Sequence, residues 1–174
     1  EQSEVKSKKA AEIKEIYKGI AYDNDRIKAA LDQANLSYTH YDEVEKEIAQ
    51  LLHQGKIVGR FNGRMEYGPR ALGNRSIIGA PFDPSINDWL NKKLNRTEFM
   101  PFAPSINVEH AKDYFIGYED NHIAADFMTI TYDVFEDKIE KIPAVVHIDK
   151  TARPQVVREE TNPSYHKIID EFYK

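Results

Sequence analysis

Between Gly63 and Ser76 the chain reads G-R-M-E-Y-G-P-R-A-L-G-N-R-S, with glycines at 63, 68 and 73 and arginines at 64, 70 and 75. Glycine at such positions lets the backbone turn tightly and approach a ligand closely. Five of the eight glycines lie between Gly59 and Gly79, and five of the eight arginines between Arg60 and Arg96. The 60–96 segment holds seven Lys or Arg against three Asp or Glu, in a chain whose formal net charge is −5. An acidic protein with one concentrated Arg/Gly segment points to a local anion site more than to a broad nucleic-acid surface. Arg64, Arg70 and Arg75 supply planar forks suited to phosphate or carboxylate oxygens. Glu66 among them can orient an arginine or accept a substrate N–H or hydroxyl. A glycine-rich turn with surface arginines is the plainer alternative. Gly68 to Gly73 has the glycine spacing of a Walker A loop, but Asn74-Arg75 stands where Lys-Ser/Thr is required, so a P-loop is rejected.

With 174 residues, 41% hydrophobic and 30% charged, one domain is the default, and a chain of this size buries roughly 70% of its unfolded surface. There is no cysteine, which excludes disulfide scaffolds, iron–sulfur clusters, thiolate zinc sites and thiol nucleophiles. No stretch reaches the ~18 apolar residues of a membrane span, and Glu1–Glu15 is too charged for a secretory signal. A cytoplasmic location is expected.

Periodicity predicts helices over residues 1–20, Asp25–Leu36, from the Asp42 cap to Gly55, Asp83–Leu94, Glu109–Phe115 and Asn162–Phe172. Strands are predicted over Tyr38–Tyr41, Lys56–Phe61 (closed by Asn62-Gly63), Arg75–Ile78, Ala103–Val108, Phe127–Asp133, Pro143–Ile148 and Gln155–Val157. The class is α/β or α+β around one sheet.

Two further clusters carry chemistry. Lys92, Lys93 and Arg96 end a helix and lead into F-M-P-F-A-P-S at 99–105, where Ser105 can bond a ligand or finish the turn; the cations also complement the helix dipole. H-I-D-K-T-A-R at 147–153 follows an apolar strand, and alternation places His147 and Asp149 on the face opposite Val146 and Ile148. Polar groups at the carboxyl end of a buried strand are where open α/β folds place ligands. His147 and Asp149 are the one close His/carboxylate pair on a predicted strand, too few for a metal site.

On the stretches GRMEYGPRALGNRSIIGAP (63–81), NRTEFMPFAPS (95–105) and AVVHIDKTARPQVV (144–157), the sequence resembles the carboxy-terminal domain of the O-carbamoyltransferases of nodulation-factor and antibiotic tailoring. The resemblance implies a YrdC-like twisted sheet flanked by helices over residues 16–174, with 1–15 a helical extension or linker. It also implies that the domain binds ATP, with Mg²⁺, and carbamoyl phosphate and forms carbamoyl adenylate. A separate N-terminal domain of actin-like fold then transfers the carbamoyl group to an acceptor hydroxyl. Arg70 and Arg153 are expected to hold phosphate or carbamoyl oxygens, with Glu66 beside them. Arg64, Arg75, Lys93, Arg96, Ser105, His147 and Asp149 are the further binding candidates.

Three positions depart from the family pattern: Leu94 stands at a usual Lys, Met100 at a usual Arg and Lys150 at a usual Gly. The sequence also stops at Lys174, before the Asn-Thr-Ser-Phe-Asn segment that members of the resembled family carry next, so a domain shortened at its carboxyl end is expected. The alternative is a non-catalytic docking module that completes the active site of its partner domain. Binding of double-stranded RNA, as by other YrdC-like domains, is disfavoured by the acidic charge.

Overall fold

The computed structural model describes residues 16–96 and 101–174. The expected helical extension at 1–15 and the departure at Met100 lie outside them. Helix α1 (Asn24–Gln33) opens on Asp23, whose carboxylate accepts from the Arg26 amide at 2.8 Å. Helix α2 (Val44–His53) buries Ile48, Ala49 and Leu52, the stripe its 3–4 spacing predicts, and the chain turns out of it at Gly55 with φ +72°. Strands β1 (Val58–Phe61) and β2 (Arg75–Ile78) pair antiparallel, with Phe61 opposite Arg75. The Arg/Gly stretch is therefore one long loop held at both ends by the same two strands.

Helix α3 (Ser85–Lys93) begins where the Asp83 carboxylate accepts from the amide and hydroxyl of Ser85. Strand β3 (Ser105–Asn107) runs straight into α4 (Val108–Tyr114); a 3₁₀ turn (Ile123–Phe127) follows, then β4 (Tyr132–Asp133) and α5 (Glu136–Ile139). Strands β5 (Thr151–Ala152) and β6 (Gln155–Val157) precede the closing helix α6 (Pro163–Tyr173). Asn162 caps α6 by accepting from the Tyr165 amide, with Pro163 at the first helical position, where its missing N–H does no harm.

Strand β6 explains how the molecule is organised. It pairs parallel with β3 and is buried along its whole length. Adjacent side chains on a strand point to opposite faces, and here each face meets a different core. Val156 joins Phe115, Tyr118, Tyr132, Val134 and three buried alanines; Val157 joins Ile48, Leu52, Tyr165 and Ile168 beneath α2 and α6.

The mixed α/β class is as expected, but the single twisted sheet is not what forms. The described strands make three two-stranded ladders: β1–β2 antiparallel, β3–β6 parallel and β4–β5 antiparallel. Pro143–Ile148, predicted as a strand, is a 3₁₀ turn over Pro143–Val145, followed by a further turn in which Ile148 is fully exposed. Pro143 presets the φ of that turn and lacks the N–H a ladder needs, while the Ala144 amide is drawn to the Pro81 carbonyl at 3.0 Å. Tyr38–Tyr41 is an exposed connection, not a strand. Residues 16–20, expected to be helical, instead run beside Met65–Tyr67, with Tyr17 bridging Glu66. Asp42 does not cap α2; Glu43 holds the cap position without a side-chain bond.

Gly73 has φ +108°, and a Cβ there would stand 2.5 Å from the Tyr165 ring. Gly55, at φ +72°, faces open space. Gly73→Ala is therefore expected to cost about 2–4 kcal/mol in urea unfolding, from backbone strain and overpacking together. Gly55→Ala should cost about 1 kcal/mol, from strain alone. Equal losses would show that the Tyr165 contact is immaterial.

Candidate anion-binding site

The Arg/Gly loop is built from the inside. Tyr67 donates its amide to the Ile16 carbonyl at 2.8 Å and Gly19 its amide to Met65 at 2.9 Å, and this pairing turns Glu66 inward. The buried Glu66 Oε1 accepts from the backbone amides of Leu72 (2.8 Å), Asn74 (2.6 Å) and Arg75 (3.1 Å). Asn74 donates its side-chain amide to the Arg64 carbonyl at 2.8 Å, and Ser76 Oγ accepts from Gly73 at 2.9 Å. One carboxylate oxygen thus folds nine residues of loop around itself.

A second layer clamps the loop to the rest of the domain. The Leu72 carbonyl accepts from Tyr17 Oη and from Gln155 Nε2, each at 2.8 Å. Arg60 Nε donates to the Gly73 carbonyl at 2.8 Å, and its Nη2 to Ser164 Oγ at 3.0 Å, which in turn donates to Glu45 at 2.6 Å. Asn162 Nδ2 donates to both Tyr17 Oη and Asn74 Oδ1, each at 3.0 Å. Burial pushes the Tyr17 and Tyr165 phenols up, so both stay protonated near neutral pH; it pushes Arg60 down, against the pull of nearby Glu45 and Glu66.

The three stretches that carry the family resemblance, 63–81, 95–105 and 144–157, meet at Gln155. Its Nε2 reaches Leu72 of the first, its Oε1 accepts from Ser105 Oγ of the second at 3.3 Å, and it belongs to the third. Arg70 lies two residues from Leu72, and Arg153 two residues from Gln155. Both are half-buried. The Arg70 guanidinium makes no hydrogen bond or ion pair among the described residues, and Arg153 Nε is buried without an acceptor. Arg64 is exposed and its side chain is likewise unpaired. A buried, unsatisfied guanidinium N–H is costly, and an anion beside it removes that cost.

The other candidates are placed differently. Arg75 closes the loop: Nη1 donates to the Asn62 carbonyl at 2.6 Å, Nη2 to Gly63 at 3.1 Å, and the guanidinium lies 3.6 Å over the Phe61 ring. Ser105 is tied between Tyr165 Oη, at 2.8 Å, and Gln155. Asp149 accepts from the hydroxyl and amide of Thr151, bonds that hold its carboxyl below the usual range. His147 is half-buried and closes the same turn through its backbone, so the expected strand alternation of 147 and 149 does not arise. Lys93, the last residue of α3, and Arg96, just beyond it, are exposed, over Trp89 at 5.7 Å and Phe102 at 5.0 Å. Among the described residues no three His, Asp or Glu cluster closely enough to hold a metal ion. A cleft of about 470 Å³ opens beyond Tyr17 and Gln155, but its one arginine, Arg158, is already paired with Asp126 at 2.8 Å.

Sequence reasoning missed Arg60, Tyr17, Gln155, Asn162 and Tyr165 as parts of this arrangement. Each acts through a contact across more than ten positions of sequence, which no local spacing encodes. Among the described residues, no helix is long and apolar enough to cross a membrane.

An arginine-bearing loop is thus locked to an α/β core, and the arginines two residues from either side of the lock keep guanidinium donors without a partner among the described residues. The sequence profile of the family described as carbamoyltransferase C-terminus matches residues 49–174, and the chain belongs to that family. It is 34% identical over 169 residues to nodulation protein NolNO of Sinorhizobium fredii, covering 93% of this chain and 24% of that protein. Nodulation protein U of Rhizobium tropici is 36% identical over 129 residues (74% and 22%), and an uncharacterized protein of Methanocaldococcus jannaschii 36% over 168 (92% and 32%). The chain thus spans a third or less of the length of these relatives.

Glu66→Ala, which leaves three backbone amides without their acceptor, is expected to destabilise by about 3 kcal/mol or more. Glu66→Gln retains an acceptor oxygen and should lose less than half as much. Chemical unfolding of both variants checks this; equal losses would remove Glu66 from its place as loop anchor.

Proposed function

We infer that this chain is the nucleotide- and carbamoyl-phosphate-binding part of a longer carbamoyltransferase, acting ahead of an N-terminal domain of actin-like fold that delivers the carbamoyl group to an acceptor hydroxyl. The observation that carries it is Arg153 Nε, buried without an acceptor, together with Arg70, whose guanidinium has no partner among the described residues, each two residues from the Leu72–Gln155 contact where all three family motifs converge.

The donor set suits phosphate oxygens. For atoms to balance, water first releases phosphate from carbamoyl phosphate. The carbamate oxygen then joins the α-phosphorus of ATP, and the bond to the β-phosphate breaks to release pyrophosphate. Fixed arginine forks serve such a step by aligning the groups in line and neutralising charge, with little reorganisation. Arg64, exposed at the loop edge, can follow the outer phosphates. Arg60 and Arg75 hold the loop and belong to the scaffold.

Isothermal titration of the chain with ATP and carbamoyl phosphate in Mg²⁺ buffer tests this. Arg70→Ala and Arg153→Ala should each weaken binding by roughly 10–150-fold, the loss of one charge-assisted contact, with an unchanged melting temperature. Arg75→Ala should instead lower the melting temperature. Wild-type affinity in both of the first two variants would overturn the assignment.

A further inference from the structure

The Tyr165 ring is seated against Gly73, with the Arg60 guanidinium 5.9 Å from its centre, and the residue is buried. Two chains of hydrogen bonds leave it and end on the same atom, the Leu72 carbonyl oxygen. One starts at its backbone amide, which donates to Asn162 Oδ1 at 3.2 Å. Asn162 Nδ2 donates to Tyr17 Oη at 3.0 Å, and Tyr17 Oη to Leu72 at 2.8 Å. The other starts at the Tyr165 hydroxyl, which donates to Ser105 Oγ at 2.8 Å. Ser105 donates to Gln155 Oε1 at 3.3 Å, and Gln155 Nε2 to Leu72 at 2.8 Å.

The direction of every bond in the second chain follows from its end. A carbonyl oxygen only accepts, so Gln155 turns its NH₂ to Leu72 and its Oε1 to Ser105. That oxygen also only accepts, so Ser105 is the donor there and meets Tyr165 as an acceptor. Tyr165 therefore has to donate, and burial, which pushes its phenol up, keeps the proton in place. Tyr17 fills the second lone pair of the Leu72 oxygen, so a flipped Gln155 would set one acceptor against another. We propose that the Tyr165 hydroxyl is a positioning group: through Ser105 it fixes the orientation of the Gln155 side chain, and with it the register of the backbone carrying Arg153 against the loop carrying Arg70. Each arginine is two residues from the Gln155–Leu72 bond, so that bond ties their two backbones directly. Two forks hold one anion only while their spacing matches it. The consequence for anion binding rests on the function inferred above; the orientation of Gln155 does not.

Tyr165→Phe keeps the ring against Gly73 and the amide bond to Asn162 and removes the hydroxyl alone, so it cuts one chain and spares the other. NMR of the side-chain amides reads both. Hydrogen exchange of the bonded Gln155 Nε2 proton is expected to quicken about tenfold in the variant, while Asn162 Nδ2 stays within about twofold of wild type. ATP affinity in Mg²⁺ buffer should fall roughly tenfold. Unchanged exchange at Gln155 overturns the proposal. Equal quickening at both side chains also overturns it, making Tyr165 a packing residue only. So does unchanged ATP affinity beside a loosened Gln155. Ser105→Ala breaks the same chain one link further on and should repeat the pattern; it carries the test if Tyr165→Phe does not fold. A wild-type chain that gives no heat with ATP would retire the carbamoyl chemistry, and the exchange rates would still decide whether Tyr165 orients Gln155.

Discussion

A carboxylate buried under a loop, with three main-chain N–H groups aimed at one of its oxygens, fixes more geometry than any other contact in this domain. Glu66 Oε1 defines where Leu72, Asn74 and Arg75 must be, and so defines the path of everything between them. Three amide donors compensate the desolvation of one charge, which a single partner would not do. The loop has no secondary structure of its own to lean on. Its shape is held by this one side chain inside and by Tyr17, Arg60, Gln155 and Asn162 outside.

That arrangement divides the arginines by role. Arg60 and Arg75 are consumed by carbonyls of the loop they support, and Arg75 is further stacked on Phe61. Arg64, Arg70 and Arg153 are left with donors unpaired. In sequence the five look alike, each an arginine close to a glycine or at a strand end. What separates them is whether backbone carbonyls lie within reach, and that depends on the turn at Gly73 and on the pairing of β1 with β2.

The same distinction explains how much could be read beforehand. Helix stripes such as Ile48–Leu52, the Asn162-Pro163 start and the two strands around the loop follow from local pattern, and they appear within a few residues of expectation. The convergence of the three motifs was legible as a resemblance. Its physical means, the Gln155 side chain bonding to Leu72 and Ser105, was not, because it joins residues 50 and 83 positions apart. Pro143–Ile148 misled because an apolar run has the composition of a buried strand, whereas one proline and a carbonyl at Pro81 convert it to a turn. Asp149 and His147 then lose the strand end that made them candidates.

Lys150, at a position where the resembled family has glycine, shows what the remaining departures mean for the site. It adopts φ +66°, a conformation glycine reaches without strain and lysine reaches at a cost of order 1 kcal/mol. Its ammonium lies 2.9 Å from Glu136 rather than toward the arginines, an exposed pair that returns little. The turn geometry is therefore retained while no cation is added. Lys93, next to the position where the family has lysine, lies over Trp89 on the surface. Neither replaces a lost anion contact, so on the proposed function the affinity of this domain rests on Arg70 and Arg153. Two arginine forks hold an anion firmly only where water is kept away.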